Sequence, residues 1–229
     1  MARRKKCLIT FSGIDGAGKT TQINWVFAYL LQCGYRVKKV TFWDDIAVLA
    51  NLRAGVSLRV FRKEPQAGAQ RNDKNVLRWY LTVIRSTFYL LDTLKLRKRV
   101  RELTESDIDF VIFDRYIYDQ LVQIRSRGRF ASSYIRCLLR LAPRPDHGFI
   151  LDAAPDDAFI RKPEYPLEFL YEYRRAFLRL KSFEPCLKVI APGTPEDVRQ
   201  EILTCISSSA GISAIRSSSV NTLGFSAPQ

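Results

Sequence analysis

The chain has 229 residues, 47% of them hydrophobic, and a formal net charge of +14. This length and composition suit one globular domain with a large core, and no apolar run approaches the about 18 residues that a membrane-spanning helix needs. Five cysteines without a C-x-x-C pair and a single histidine, His147, give no basis for a disulfide framework or a zinc site.

The first predicted strand, Cys7–Ser12, leads into a glycine-rich loop. Residues 13–20 read GIDGAGKT and fit the pattern G-x-x-x-x-G-K-[ST], the P-loop. A helix is predicted to begin near Lys19 and to end at Gly34, so backbone N–H groups and the helix N-terminus would together bind phosphates. The predicted binding residues are Gly13, Ile14, Asp15, Gly16, Ala17, Gly18, Lys19, Thr20 and Thr21. Lys19 would contact the β- and γ-phosphates of a nucleoside triphosphate, and the Thr20 hydroxyl would bind Mg²⁺.

Four more segments read as short buried strands, because they are rich in β-branched and aromatic residues. They are Arg36–Phe42, Phe110–Phe113, Gly148–Asp152 and Leu187–Ala191. Helical stretches separate them, which predicts an α/β fold with a five-stranded parallel sheet covered by helices on both faces. Ligands of such sheets bind at the carboxyl ends of the strands, where the P-loop lies.

Three longer helices are predicted from apolar residues at helical spacing. They span Val76 to about Leu103, Pro166–Phe183, and a segment that starts at a Thr194 cap. Their inner faces are, in chain order, Tyr80, Ile84, Phe88 and Leu91; Phe169, Leu170, Tyr173, Phe177 and Leu180; and Val198, Ile202, Cys205 and Ile206. Residues 208–229 are serine-rich and without periodicity, so we expect a single domain over 1–207 followed by a disordered tail.

The positive charge has two interpretations. The densest basic run, 95–101, continues a helical pattern and is typical of a solvated helix face. General attraction of anionic nucleotides explains such a charge, and a nucleic-acid interface is the alternative. The basic start MARRKK leads into a strand rather than into an apolar segment with a cleavage site, which favours a cytoplasmic protein.

A second motif, Asp114-Arg115-Tyr116, ends the third predicted strand. A carboxylate beside a P-loop can bind Mg²⁺ or activate an acceptor, and an arginine can hold a phosphate through two parallel hydrogen bonds. An ion pair at the end of a strand is the structural alternative.

These motifs resemble the thymidylate kinase family of P-loop nucleoside monophosphate kinases. The matching stretches are 11–22, 111–116, 149–162 and 189–202, within a resemblance that spans about residues 7–206. The resemblance implies a P-loop kinase fold with a lid, which is short in this sequence, transfer of phosphate from ATP to dTMP with Mg²⁺, and a homodimer. We expect no specific nucleic-acid partner, because aromatic residues for base stacking are not clustered, and no membrane partner, because no apolar run is long enough to span a bilayer.

The resemblance also implies roles for individual residues. An acid at the position of Asp15 contacts the sugar of the acceptor nucleotide, Arg115 binds its phosphate, and Phe88 stacks on its base. Some members carry a basic residue in the P-loop, at the position that Gly16 occupies here. The lid, at about 161–166, is then expected to supply the catalytic cation, from Arg161 or Lys162.

Three departures concern the acceptor side. The family usually has an acid-proline-glycine loop after the second strand, and this chain instead reads TFWDDIAVLANLR at 41–53. The phosphate of the acceptor would then have to be bound by Arg53 at the end of this segment, or by Arg59 or Arg62 beyond it. Asp119 stands where the family usually has serine, and Gln123 and Ile124 where it has a Tyr-Gln pair.

The third departure is Asp92, at the position of an arginine that reads the thymine carbonyl; aspartate cannot donate that hydrogen bond. Two alternatives therefore stay open: a related phosphotransferase with a nucleoside or sugar acceptor, and a nucleotide-dependent switch protein that contacts nucleic acid.

Overall fold

The computed structural model describes residues 6–47, 79–124 and 129–210. Within them, five parallel strands form one sheet in the order β2-β3-β1-β4-β5. The strands are β1 (Cys7–Ser12), β2 (Val37–Thr41), β3 (Phe110–Asp114), β4 (His147–Leu151) and β5 (Leu187–Ile190). The predicted parallel sheet is confirmed, and each strand boundary agrees with the sequence prediction to within one residue.

The sheet is buried on both sides because helices cover both of its faces. The helices are α1 (Lys19–Gln32), α2 (Trp79–Glu105), α3 (Ile117–Leu121), α4 (Arg129–Leu141), α5 (Pro155–Arg161), α6 (Leu167–Leu180) and α7 (Pro195–Ala210), and Phe42–Ile46 forms a π-helical turn. One apolar cluster joins the sheet to α2, α4 and α6, and the other joins it to α1 and α7. In the central strand β1, Ile9 and Phe11 are fully buried, as near-continuous apolar strands of parallel sheets are.

The inner face of α2 differs from the predicted one. Leu91 is 42% exposed, whereas Tyr89, Asp92 and Thr93 are buried. The apolar periodicity misplaced this face because a polar residue, Asp92, points into the interior and is hydrogen-bonded there. The side chains of Tyr80 and Ile84 lie outside the described part of the chain.

The last helix has the predicted cap and a longer body. The Thr194 hydroxyl accepts a hydrogen bond from the Asp197 N–H at 3.2 Å and donates one to the Asp197 carboxylate at 2.7 Å. The helix continues to Ala210, three residues into the segment predicted as a tail, and residues 211–229 lie outside the described residues.

Other expectations from composition concern His147 and the cysteines. His147 is buried at the start of β4, where its ring stacks on Phe149. The five cysteines all lie in the described part of the chain, and none of them forms a disulfide bond. Among the helices that the structure describes, none combines the length and the apolar composition that crossing a membrane requires.

Candidate active site

The P-loop connects the central strand β1 to α1. Gly13, Gly16 and Gly18 have positive φ angles of 143°, 84° and 79°, which side chains disfavour. A Cβ on Gly13 would collide with the backbone carbonyl of Leu151 in β4, and one on Gly16 would lie 2.5 Å from the Ala158 carbonyl in α5. The loop is therefore held closely between its own strand, the neighbouring strand and the helix that precedes the lid.

Lys19 is folded back onto this loop. Its ammonium group donates hydrogen bonds to the carbonyls of Gly13, at 2.9 Å, and Ile14, at 2.7 Å, and the side chain is only 7% exposed. Burial lowers the pKa of Lys19, the nearby Arg115 cation lowers it further, and neighbouring carboxylates only partly oppose these effects. The lysine thus occupies the concave side of the loop, where phosphates bind in P-loop proteins.

Asp15 joins the P-loop to the second motif. Its carboxylate pairs with the Arg115 guanidinium and lies 3.6 Å from the Lys19 ammonium. Burial raises the pKa of Asp15, but the charges of Arg115 and then Lys19 outweigh burial, so the pKa lies below its ordinary value. Asp15 is therefore ionised at neutral pH and faces cations, as a carboxylate among phosphate-binding amides must.

Asp114 and Arg115 stand at the carboxyl end of β3, next to the P-loop. Asp114 is in register with Phe11 of β1, and the Arg115 N–H donates to the Phe11 carbonyl at 2.9 Å. Arg115 has a φ of 66°, a left-handed conformation that is uncommon for residues other than glycine. This backbone turn brings the guanidinium of Arg115 to the P-loop carboxylate of Asp15.

Asp119 completes the same cluster, although the sequence showed it only as a departure from a serine. Its carboxylate is fully buried, accepts a hydrogen bond from the Ser12 hydroxyl at 2.6 Å, and lies 3.2 Å from an Arg115 guanidinium nitrogen. Burial raises the pKa of Asp119, although the charges of Arg115 and Lys19 oppose the shift. The signal that could have found it is an acid four residues after the arginine of D-R-Y, at the spacing of an ion pair on a helix.

The helix before the lid, α5, brings a cation to the other side of the P-loop. Arg161 donates a hydrogen bond to the Gly16 carbonyl at 3.2 Å, whereas Lys162 pairs with Glu164 at 3.2 Å. Of the two lid candidates, Arg161 is the one in contact with the P-loop. A cleft beside this contact lies between the P-loop, α5 and the loop that follows β5.

Helix α2 carries the two positions that the sequence linked to the acceptor base, Phe88 and Asp92. Phe88 is half-buried, and one turn further Asp92 is fully buried and accepts a hydrogen bond from the Gln120 amide. The carbonyl oxygen of the Gln120 side chain is buried and accepts no hydrogen bond from the residues that the structure describes. Arg53, Arg59 and Arg62 lie outside those residues.

A row of aromatic side chains begins before α6, at Tyr165, and continues along α6 to the same cluster. Tyr165, Phe169 and Tyr173 stack in sequence with ring centroids 5.1 and 5.2 Å apart. The Tyr173 hydroxyl donates to the Asp119 backbone carbonyl at 2.9 Å. The packing of α6 is therefore coupled to the position of Asp119.

Comparison with known proteins shows which family this chain resembles. A model of the family described as thymidylate kinase matches residues 11–202. A probable thymidylate kinase of Methanosphaera stadtmanae is 26% identical over 199 residues, which cover 85% of this chain and 94% of that protein. A probable thymidylate kinase of Archaeoglobus fulgidus is 26% identical over 215 residues, which cover 88% and 95% of the two chains.

A solved structure shows the same fold. The thymidylate kinase from Ehrlichia chaffeensis superposes with a TM-score of 0.56 at 23% identity, and the match covers 88% of this chain and 98% of that one.

Proposed function

We propose the function from one premise: this chain belongs to the thymidylate kinase family, whose model matches it over residues 11–202. It is a nucleoside monophosphate kinase, and its reaction is the transfer of the terminal phosphoryl group of ATP to dTMP, which gives ADP and dTDP. The observation that carries the proposal is the meeting of four charged groups at the carboxyl end of β1. Lys19, Asp15 and Arg115 form ion pairs there, and Arg161 contacts the same loop from the lid side.

The P-loop side suits the donor. In our proposal, the backbone amides of the loop bind the β- and γ-phosphates, and Lys19 leaves the carbonyls of Gly13 and Ile14 to bind these phosphates instead. The exchange is favourable because a phosphate oxygen carries more charge than a carbonyl oxygen. Thr21, which follows the loop on α1, is exposed and available to the phosphates.

The chain also offers the oxygen ligands that Mg²⁺ prefers. Thr20 is exposed at the start of α1, and Asp114 is half-buried at the end of β3, on the strand adjacent to β1. We assign both as the groups that would hold the ion, which when bound neutralises charge on the phosphate oxygens.

The acceptor assignments follow the cluster around Arg115. Arg115 binds the phosphate of the acceptor, because its guanidinium can donate two parallel hydrogen bonds to phosphate oxygens. Asp15 accepts a hydrogen bond from the sugar hydroxyl, since a carboxylate repels phosphate but suits a hydroxyl. Phe88 provides the stacking surface for the base.

Catalysis then consists mainly of positioning and charge stabilisation. Asp15 and Arg115 orient the acceptor, and Lys19 with the loop amides orients the donor. Arg161 stabilises the negative charge of the phosphoryl group during transfer, from the position where it now contacts the Gly16 carbonyl. An arginine in this role can be worth roughly 10³- to 10⁵-fold in rate.

The direct test is ADP release from Mg-ATP with a panel of acceptors: dTMP, dUMP, other nucleoside monophosphates, thymidine and several sugars. Selective stimulation by dTMP is expected. Stimulation by thymidine or a sugar without any response to dTMP would refute the proposed acceptor and leave the donor half standing.

One observation supports the alternative acceptor, a nucleoside or a sugar. Asp92 occupies the position of the base-reading arginine, and it is bonded to Gln120 inside the protein. Because both side chains are fully buried, this position offers no group that could donate a hydrogen bond to the thymine carbonyl. An acceptor that does not require this hydrogen bond, such as a nucleoside or a sugar, is therefore the second candidate.

The last part of the proposal concerns the oligomeric state, which is taken from the family resemblance, and the partners. We propose a homodimer without a nucleic-acid partner, which light scattering of the purified protein and a salt titration with labelled DNA would test. Steeply salt-dependent binding of DNA would contradict the second part.

A further inference from the structure

We infer that Asp119 is a positioning residue that holds Arg115 ready for the acceptor phosphate. The inference rests on the proposed function, since the acceptor phosphate is the ligand assigned to Arg115. It adds a role for a residue that motif comparison shows only as a departure from serine.

The first observation is that Asp119 connects three parts of the site. One carboxylate oxygen accepts hydrogen bonds from the Ser12 hydroxyl, at 2.6 Å, and from the Tyr116 N–H, at 3.3 Å. The other oxygen lies 3.2 Å from Arg115. The end of β1, the turn after β3 and the arginine side chain are thus tied to one carboxylate.

The second observation is the conformation of Arg115 itself. A left-handed backbone is unfavourable for a residue that carries a side chain. It persists where several contacts fix it. Here the Phe11 carbonyl holds the Arg115 N–H, and carboxylates hold both terminal nitrogens of the guanidinium, Asp119 on one side and Asp15 on the other.

The third step concerns what happens when substrates bind. Asp15 now pairs with both Arg115 and Lys19. In the proposed complex, Lys19 turns to the donor phosphates and Asp15 turns to the sugar hydroxyl, so Arg115 loses one carboxylate. Asp119 is fully buried and cannot reorient in this way, so it keeps its hold on Arg115 throughout.

A serine at position 119 would offer a single neutral acceptor on a shorter side chain. It could not hold Ser12, Tyr116 and Arg115 together as the carboxylate does. The hydrogen bond from Tyr173 to the Asp119 backbone carbonyl further fixes this first turn of α3 against α6. The lid side and the acceptor side therefore meet at Asp119.

The kinetic test compares Asp119→Asn, Asp119→Ser, Arg115→Ala and the Asn/Ala double variant. Loss of a charge-assisted hydrogen bond is expected to raise KM for dTMP roughly 10- to 100-fold in the Asp119 variants. KM for ATP should change less than about 3-fold. If Asp119 acts through Arg115, Asp119→Asn should add nothing to the defect of Arg115→Ala.

The matched control is Asp109→Asn. Asp109 is a second buried aspartate that holds an arginine, Arg36, but it lies at the opposite end of β3. This variant should lose thermal stability and keep KM for dTMP. Equal rises of KM in the Asp109 and Asp119 variants, or additive effects in the double variant, would overturn the inference.

A spectroscopic measurement tests the same inference without depending on the identity of the acceptor. In nitrogen-15 spectra of the substrate-free protein, the guanidinium signals that Arg115→Ala removes should show slow rotation and slow exchange. Asp119→Asn should abolish this protection, and Asp109→Asn should retain it. Unchanged Arg115 signals in Asp119→Asn would overturn the inference. If dTMP does not stimulate ADP release by the wild-type enzyme, only the proposed acceptor is refuted.

Discussion

Replacement of Gly16 by alanine should damage the site by displacing α5, the helix before the lid, as well as by straining the loop itself. Gly16 has a φ of 84°, and a Cβ there would lie 2.5 Å from the Ala158 carbonyl oxygen of α5. An ordinary contact needs about 3.4 Å, so α5 and the loop must separate by about 0.9 Å. The same movement carries Arg161 away from the Gly16 carbonyl, which it now contacts.

The magnitude follows from these two effects. A left-handed alanine costs about 1–2 kcal/mol and the forced contact about 1–3 kcal/mol, so unfolding should become easier by roughly 2–5 kcal/mol. A displacement near 1 Å of a catalytic group can lower kcat about 100-fold. Both effects should appear in Gly16→Ala, measured by denaturant unfolding and by ADP release at saturating substrates.

Gly34→Ala is the matched control. Gly34 has a similar φ of 78°, and an added Cβ would meet no described atom within 4 Å. This variant should lose only the backbone part, about 1–2 kcal/mol, and keep kcat. Equal stability losses in the two variants together with wild-type kcat in Gly16→Ala would refute the reasoning.

Three further changes test the charged cluster. Lys19→Ala should abolish turnover, because Lys19 is the group proposed to bind the donor phosphates, and should leave circular dichroism near that of wild type, because Lys19 belongs to neither apolar cluster; wild-type turnover would contradict the assigned role. Arg161→Ala should lower kcat by roughly 10³-fold or more, whereas Lys162→Ala, which removes the partner of Glu164, should lower it less than about 10-fold. The pKa of the Asp15 carboxyl is lower in the folded protein than its ordinary value of 3.8. The ionised carboxylate therefore stabilises the fold fully at pH values above 3.8, and this stabilisation is lost as the pH falls through the lowered pKa of the folded state. Denaturant unfolding between pH 5 and pH 2 should therefore depend less on pH in Asp15→Asn than in wild type, and equal dependence would speak against the ion pairs of Asp15.

The sheet and the donor loop could be predicted because their signals are local. The P-loop has fixed residues at fixed spacing, and each buried strand is a short run of β-branched and aromatic residues. The parallel arrangement followed from strands alternating with helices. Since these rules need no knowledge of distant contacts, the predicted strands agree closely with the structure.

The polar interior could not be predicted in the same way. Asp92 and Asp119 are both fully buried, and their partners are 28 and 107 residues away in the chain, at Gln120 and Ser12. Apolar periodicity assigns such residues to the surface, and this is why the inner face of α2 was misplaced. Only the folded contacts show that these carboxylates are held by hydrogen bonds.

The order of the strands has a consequence for how specificity changes in this chain. Because β1 lies between β3 and β4, the P-loop has the D-R-Y turn on one side and the lid helix on the other. The two sides come from separate segments of the chain, 79–124 and 147–180, which meet at the loop and again where Tyr173 bonds to the Asp119 backbone carbonyl. Substitutions in 79–124 away from Asp119 can therefore change which acceptor is phosphorylated while the residues proposed to bind ATP stay in place, whereas a substitution at Asp119 or Tyr173 affects both sides at once.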